Sequence, residues 1–172
     1  MLRLAGACLL IAGCAGSGWC IWRDLERRAG ELKLLERTFL MLGSEVGYSR
    51  SSLPDGLLRV GGRLEGALGD CLHRIASRVR AEPGITLREA WVELMPEYLH
   101  EPCLNEKEKA LVMTFPEYTG FVDGKMQLAA LEQFAGEMGQ AKEASQKSAA
   151  DGKKTILSIS TAGGLLLAIL LF

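Results

Sequence analysis

A chain of 172 residues holds one domain of ordinary size, and 20 basic against 21 acidic residues leave a net charge of −1, which excludes the broad positive field of a nucleic-acid binder. Hydrophobic residues make up 48% and charged ones 24%, the balance of a small folded domain plus apolar membrane segments. The five cysteines, Cys8, Cys14, Cys20, Cys71 and Cys103, form no CxxC pair, disulfide framework or zinc site, and free thiols suit a reducing compartment.

Residues 4–22 carry no charge between Arg3 and Arg23. Three readings compete: a cleaved signal peptide, a lipoprotein signal with Ile11-Ala12-Gly13 before a lipidated Cys14, and a retained transmembrane helix. The run continues past Cys14 to Trp19, Ile21 and Trp22 and then meets Arg23, Arg27 and Arg28. Interfacial aromatics followed by arginines are the end of a span, so the retained helix is the preferred reading. Cys8, Ala12, Gly16 and Cys20 recur every four residues, a spacing that lets helices approach closely in lipid.

Residues 24–48 continue as a helix. Leu25, Leu32, Phe39 and Val46 recur at seven, with Leu35 and Leu42 beside them and Leu34, Met41 and Tyr48 widening the stripe. That face is broader than a coiled-coil seam and predicts a bundle core with more than one neighbour. Ser52 is an N-cap, with Pro54 and Asp55 in the first turn of a short helix that Gly61 and Gly62 weaken. Leu68, Leu72, Ile75 and Val79 share one face of the next helix, which Glu82-Pro83-Gly84 ends. Thr86 with Glu89, and Asn105 with Glu108, predict capping boxes. The first opens a helix carrying Leu87, Ala90, Trp91 and Leu94, stopped or bent at Pro96; the second precedes Leu111, Met113 and Phe115.

Gly120 breaks the chain and Asp123 caps a long final arm with Leu128, Leu131, Ala135 and Met138 on one face. Gly136, Gly139 and Gly152 each cost about 1 kcal/mol against alanine and weaken its continuity. The arm runs into residues 156–172, uncharged, whose roughly 25 Å as a helix is near the lower limit for a bilayer core of about 30 Å. Ser160, Gly164 and Ala168 repeat the small-residue spacing. Arg23, Arg27, Arg28 and Lys33 after the first span, with Lys142, Lys147, Lys153 and Lys154 before the second, place the intervening segment in the cytoplasm. No stretch alternates with period two, so no sheet is predicted.

Chemistry is hard to find. His73 near Cys71 and His100 beside Glu101 have no metal-ligand spacing, and neither a phosphate-binding glycine loop nor a GxSxG elbow occurs. Arg50, Arg59, Arg63, Arg74, Arg78, Arg80 and Arg88 make the middle basic, but without interleaved aromatics an acidic protein surface is a better partner than nucleic acid. No catalytic, metal or cofactor-binding residue is assigned.

Taken in order, the N-terminal span and arginine-rich helix, residues 39–48 (FLMLGSEVGY) running into Ser52-Leu53-Pro54, residues 86–91 (TLREAW), Asp123 with Gln127, and Lys153-Lys154 before Gly163-Gly164-Leu165 resemble the stage III sporulation protein AB family of endospore-forming bacteria. The pattern departs at Tyr118-Thr119-Gly120 and Gly124-Lys125-Met126. The resemblance implies an all-α, six-helix-like cytoplasmic bundle of the F-type found in platform proteins of type II secretion and type IV pilus systems. It also implies a channel complex between mother cell and forespore, a secretion-type ATPase (protein AA) as cytoplasmic partner, other membrane proteins of that complex, and no catalytic residues.

The layout expected is an N-terminal span at 1–22, a cytoplasmic bundle at 23–154 and a C-terminal span at 155–172, in the mother-cell membrane. The function expected is a non-enzymatic scaffold that needs no cofactor, touches membrane lipid, and binds the ATPase or a second copy of itself as a homo-oligomer. A membrane-tethered ligand-sensing regulator and a lipoprotein anchored at Cys14 are the alternatives.

Overall fold

The computed structural model describes the backbone of residues 2–49, 52–100, 103–120 and 124–171, and the side chains of residues 22–48, 52–100, 103–120 and 124–152 besides Cys20, Ser158 and Ala162. Six α-helices run in order: α1 Leu2–Ser49, α2 Leu53–Arg63, α3 Ala67–Ala81, α4 Leu87–Leu99, α5 Glu106–Met113 and α6 Gly124–Leu171, with a 3₁₀ turn at Phe115–Tyr118 before α6. No strand occurs among the described residues, as the missing period-two alternation predicts.

The helix starts lie where their caps predict. Ser52 Oγ accepts from Asp55 N at 3.4 Å and donates to the Asp55 carboxylate at 2.6 Å. Both capping boxes form: Glu89 N donates to Thr86 Oγ1 at 3.2 Å while Thr86 N donates back to Glu89 at 2.8 Å, and Glu108 N and Asn105 N make the same exchange at 2.8 and 2.9 Å. Asp123, the cap expected for α6, lies outside the described residues.

Two expectations change, a stop at Pro96 and the burial of Tyr48. Pro96 does not stop α4, which runs to Leu99; the last turn is held by His100 N donating to the Pro96 carbonyl at 3.2 Å, so only the bond that the proline nitrogen would have made is lost. Gly61 and Gly62 lie inside the short helix α2, which runs to Arg63. A Cβ on Gly61 would come within 3.0 Å of the Gly69 carbonyl, and one on Gly69 would strike the carbonyl of Leu64, so these glycines let α2 and α3 cross backbone to backbone. Tyr48, read as part of the buried stripe, is 90% exposed. It stands at the end of α1, where Leu128 of α6 packs against Gly47 and leaves the tyrosine uncovered.

The chain divides into two units, residues Met1–Gly30 with Glu143–Phe172, and Glu31–Lys142. Within the first, a Cβ on Gly152 of α6 would meet Leu25 of α1 at 3.1 Å, so the glycine sits where the two helices are close. The small-residue repeats at 8–16 and 160–168 and the thiol of Cys14 fall on side chains outside those described. Among the described residues no helix is long and apolar enough to cross a membrane; the apolar runs 4–22 and 156–172 lie almost wholly outside the described side chains.

The second unit holds the core. Leu32, Leu35, Phe39 and Leu42 of α1, Leu57 and Val60 of α2, Leu68, Leu72 and Ile75 of α3, Trp91 and Met95 of α4, and Leu131, Phe134 and Met138 of α6 are all buried. α2 packs on α3, α3 on α4, and α4 on α5 and the 3₁₀ turn. Between α3 and α4 the chain turns at Pro83-Gly84. Ile85 N donates to Glu82 O at 3.3 Å, and Gly84 adopts φ +102°, the left-handed value that a proline–glycine turn of this kind requires and that a side chain would strain.

Candidate docking surface

An aromatic cluster fixes the helices around it. Phe39 meets Phe134 edge-on at 4.6 Å between centroids and Phe115 at 4.8 Å; Trp91 meets Phe115 at 4.5 Å, and Tyr118 meets Phe134 at 5.1 Å. Such pairs add about 0.5–1.5 kcal/mol each beyond the area they bury. The one polar atom of Trp91 is satisfied, its Nε1 donating to the Val112 carbonyl at 3.2 Å. No local pattern in the sequence marks Phe134.

Polar clasps tie helices at the edge of this core. Lys142 Nζ donates to both carboxylate oxygens of Glu36 at 2.9 and 2.7 Å, and both side chains are 20% exposed. Gly139 makes room for the clasp, since a Cβ there would lie 2.9 Å from Glu36 Oε1. Tyr98 Oη donates to Glu31 at 3.0 Å, and Tyr118 Oη to Glu137 at 2.9 Å. Burial, with the nearby Glu31 carboxylate, drives the Tyr98 phenol well above its ordinary ionisation range.

The arginines of the middle region are paired within the chain. Arg59 and Arg63 reach Glu45 at 3.3 and 2.7 Å, Arg74 reaches Glu97 at 2.8 Å, Arg78 reaches Glu93 at 2.8 Å, Arg80 lies 3.7 Å from Asp55 and Arg88 3.8 Å from Glu117. Exposed pairs of this kind stabilise little, about 0–1 kcal/mol each. They do neutralise the cationic surface that the sequence suggested for an acidic partner. Arg50 lies outside the described residues.

Hollows of different size open on the second unit, two of which bear on function. The smaller, about 190 Å³, lies beside Cys71, Arg74, Glu97 and Tyr98. Its thiol is buried, donates to the Leu94 carbonyl at 3.7 Å, and is pushed up to about 11 by loss of solvent, so it is not a nucleophile at neutral pH. The larger, about 410 Å³, is an apolar groove between α1 and α6, floored by Phe39 and Leu131 and bordered by Leu40, Tyr48, Leu128 and Glu132. Leu40 is 54% and Tyr48 90% exposed, two of four large apolar side chains so exposed among the described residues. No group of three metal-ligating side chains gathers among the described residues; His73 and His100 are both exposed, and the imidazole of His73 meets Ser77 Oγ at 3.4 Å. The arrangement is therefore that of a helical module with an apolar groove open between two of its helices.

The chain belongs to the stage III sporulation protein AB family, whose model matches residues 3–172. Membership makes it a component of the stage III sporulation complex, in company with other proteins of that complex. A solved structure described as stage III sporulation protein AB superposes with a TM-score of 0.64, covering 72% of this chain and 97% of its own length at 13% identity, a likeness in fold. No curated protein sequence matches the chain.

Proposed function

We propose that the protein is a non-enzymatic membrane platform of the stage III sporulation complex. Spans at 1–22 and 155–172 anchor it in the mother-cell membrane, and the helical region 23–154 faces the cytoplasm and docks the secretion-type ATPase. The observation that carries this reading is the groove between α1 and α6 on a helical unit of the right family. Supporting it are the uncharged runs at both ends and the lysines and arginines on their inner flanks. The ligand-sensor alternative calls for a polar-lined cavity: the hollow beside Cys71, about 190 Å³, is smaller than the roughly 300–1,000 Å³ of small-molecule sites, and the groove of about 410 Å³ that reaches that range has Glu132 as its one charged lining residue.

Cys103 is exposed in the loop before α5 and serves as a topology probe. In a full-length chain with the other cysteines replaced by serine, a membrane-impermeant maleimide should label Cys103 only after the cells are permeabilised. Labelling in intact cells would put the bundle outside and end this reading. Docking is tested separately. The full chain in nanodiscs should retain the purified ATPase, and Leu40→Glu should weaken that binding at least tenfold while leaving the helical spectrum unchanged.

A further inference from the structure

Glu132 is the one charged residue lining the groove between α1 and α6. Most carboxylates of the second unit are used within the chain. Glu36 holds Lys142, Glu45 holds Arg59 and Arg63, Glu97 holds Arg74, and others bind tyrosine hydroxyls or complete helix caps. Glu65, Asp70 and Glu132 meet no cation or hydrogen-bond donor among the described residues. Asp70 opens on the polar hollow beside Cys71, and Glu65 lies in the turn between α2 and α3. Glu132 stands at an apolar surface instead. Its own helix offers it no cation either, since the positions three and four residues away are Leu128, Ala129, Ala135 and Gly136.

An occupant that covers Phe39 and Leu131 also takes water away from this carboxylate. An acyl chain or a wholly apolar helix returns nothing for the lost hydration, and a charge buried without a partner opposes docking. A lysine or arginine on the occupant supplies a charge-assisted hydrogen bond in its place. The backbone of the occupant has the same requirement. An extended segment would lay unpaired amides and carbonyls on an apolar floor, whereas a helix satisfies them internally. The length fits as well. From Leu40 to Tyr48 the α1 border runs roughly 12 Å, and side chains at i, i+4 and i+7 of an incoming helix span roughly 10 Å.

We infer that the groove takes a basic amphipathic helix of the docking partner, apolar at i, i+4 and i+7, with one lysine or arginine paired to Glu132. Glu132 lies midway along the α6 border, between Leu128 and Ala135, so this cation falls among the apolar anchors and fixes their register. The apolar contacts supply attraction, and the single ion pair selects the partner, because a helix with an acidic or neutral residue at that place leaves the carboxylate unmatched. The inference rests on the docking reading above and gives it a chemistry.

The test uses the full chain in nanodiscs and the purified ATPase as the probe. Glu132→Lys should weaken retention of the ATPase at least tenfold. Glu65→Lys, which reverses an equally unpaired carboxylate away from the groove, should change it by less than about twofold. Exposed lysines and arginines of the ATPase are then reversed to glutamate one at a time. One of these variants should bind the parent chain poorly and bind the Glu132→Lys chain to within about threefold of the parent pair. If the parent chain retains no ATPase, the docking reading and this inference fall together. If the ATPase is retained and Glu132→Lys holds it as well as Glu65→Lys does, docking stands and this inference alone is overturned, whether lipid or a second copy then fills the groove. A loss at Glu132→Lys that no reversal on the ATPase restores overturns it too.

Discussion

At the scale of single residues, burial decides what each reactive group can do. Cys71 and Cys103 look alike in the sequence, two isolated thiols in a helical region. The fold separates them, one buried against Leu94 and the other exposed before α5. With its ionisation pushed up to about 11, Cys71 holds roughly a thousandth of its molecules as thiolate at pH 8, and the thiolate is the reactive form. A thiol reagent at that pH should modify Cys103 within minutes and reach Cys71 only as fast as the chain unfolds, read by mass spectrometry of the quenched peptides. Equal rates at the two sites would mean that α3 and α4 do not pack as described. The sequence could not make this distinction, because spacing shows that two cysteines are far apart but not which one a neighbouring helix covers.

At the scale of elements, the starts of the helices were the most readable feature. A cap is a local device: Ser52, Thr86 and Asn105 each bond within three residues, so short-range spacing contains the whole interaction. The ends were less readable. Whether α2 survives Gly61 depends on α3 arriving opposite it, and whether α4 survives Pro96 depends on a last turn that its own carbonyls close. Replacing Asn105 by alanine leaves the Glu108 amide without its acceptor and should lower stability by about 1 kcal/mol, measured by urea denaturation of the full chain. The box at Thr86 carries a pH signature. The backbone amide and the hydroxyl of Thr86, in that order, hold the Glu89 carboxyl below its ordinary range. A depressed folded value gives stability that is present above the unfolded glutamate value and is lost as pH falls through the folded one. Glu89→Gln should therefore be less stable than the parent at pH 7, and the gap should close as the pH drops below about 4. A gap that stays constant would show that the carboxylate is not what the cap uses.

At the scale of the whole molecule, the apolar stripes foretold which faces are buried but not which helices meet. Leu32, Leu35, Phe39 and Leu42 were legible on α1 because a period of seven survives in any surroundings. Phe134 was not, since a single aromatic on α6 has no local signature, and its edge-on contact with Phe39 joins opposite ends of the second unit's sequence. The exposed Tyr48 departs from its stripe for the same reason. Periodicity placed it on the stripe, but only the position of α6 determines that nothing covers it. These two aromatics give a direct comparison. Phe134 is fully buried and touches Phe39, Phe115 and Tyr118, so truncation to alanine opens a cavity at the meeting point of α1, α6 and the 3₁₀ turn. The cost should be about 3–5 kcal/mol, the range for large aromatic truncations in a core. Tyr48→Ala removes a side chain that is already in water and should change stability by no more than about 0.5 kcal/mol in the detergent-dispersed monomer. Parallel urea titrations of the two full-length variants, followed by helical circular dichroism, would measure both. If the two losses were similar, Tyr48 would be a core residue and the groove beside it would be closed by the protein's own chain.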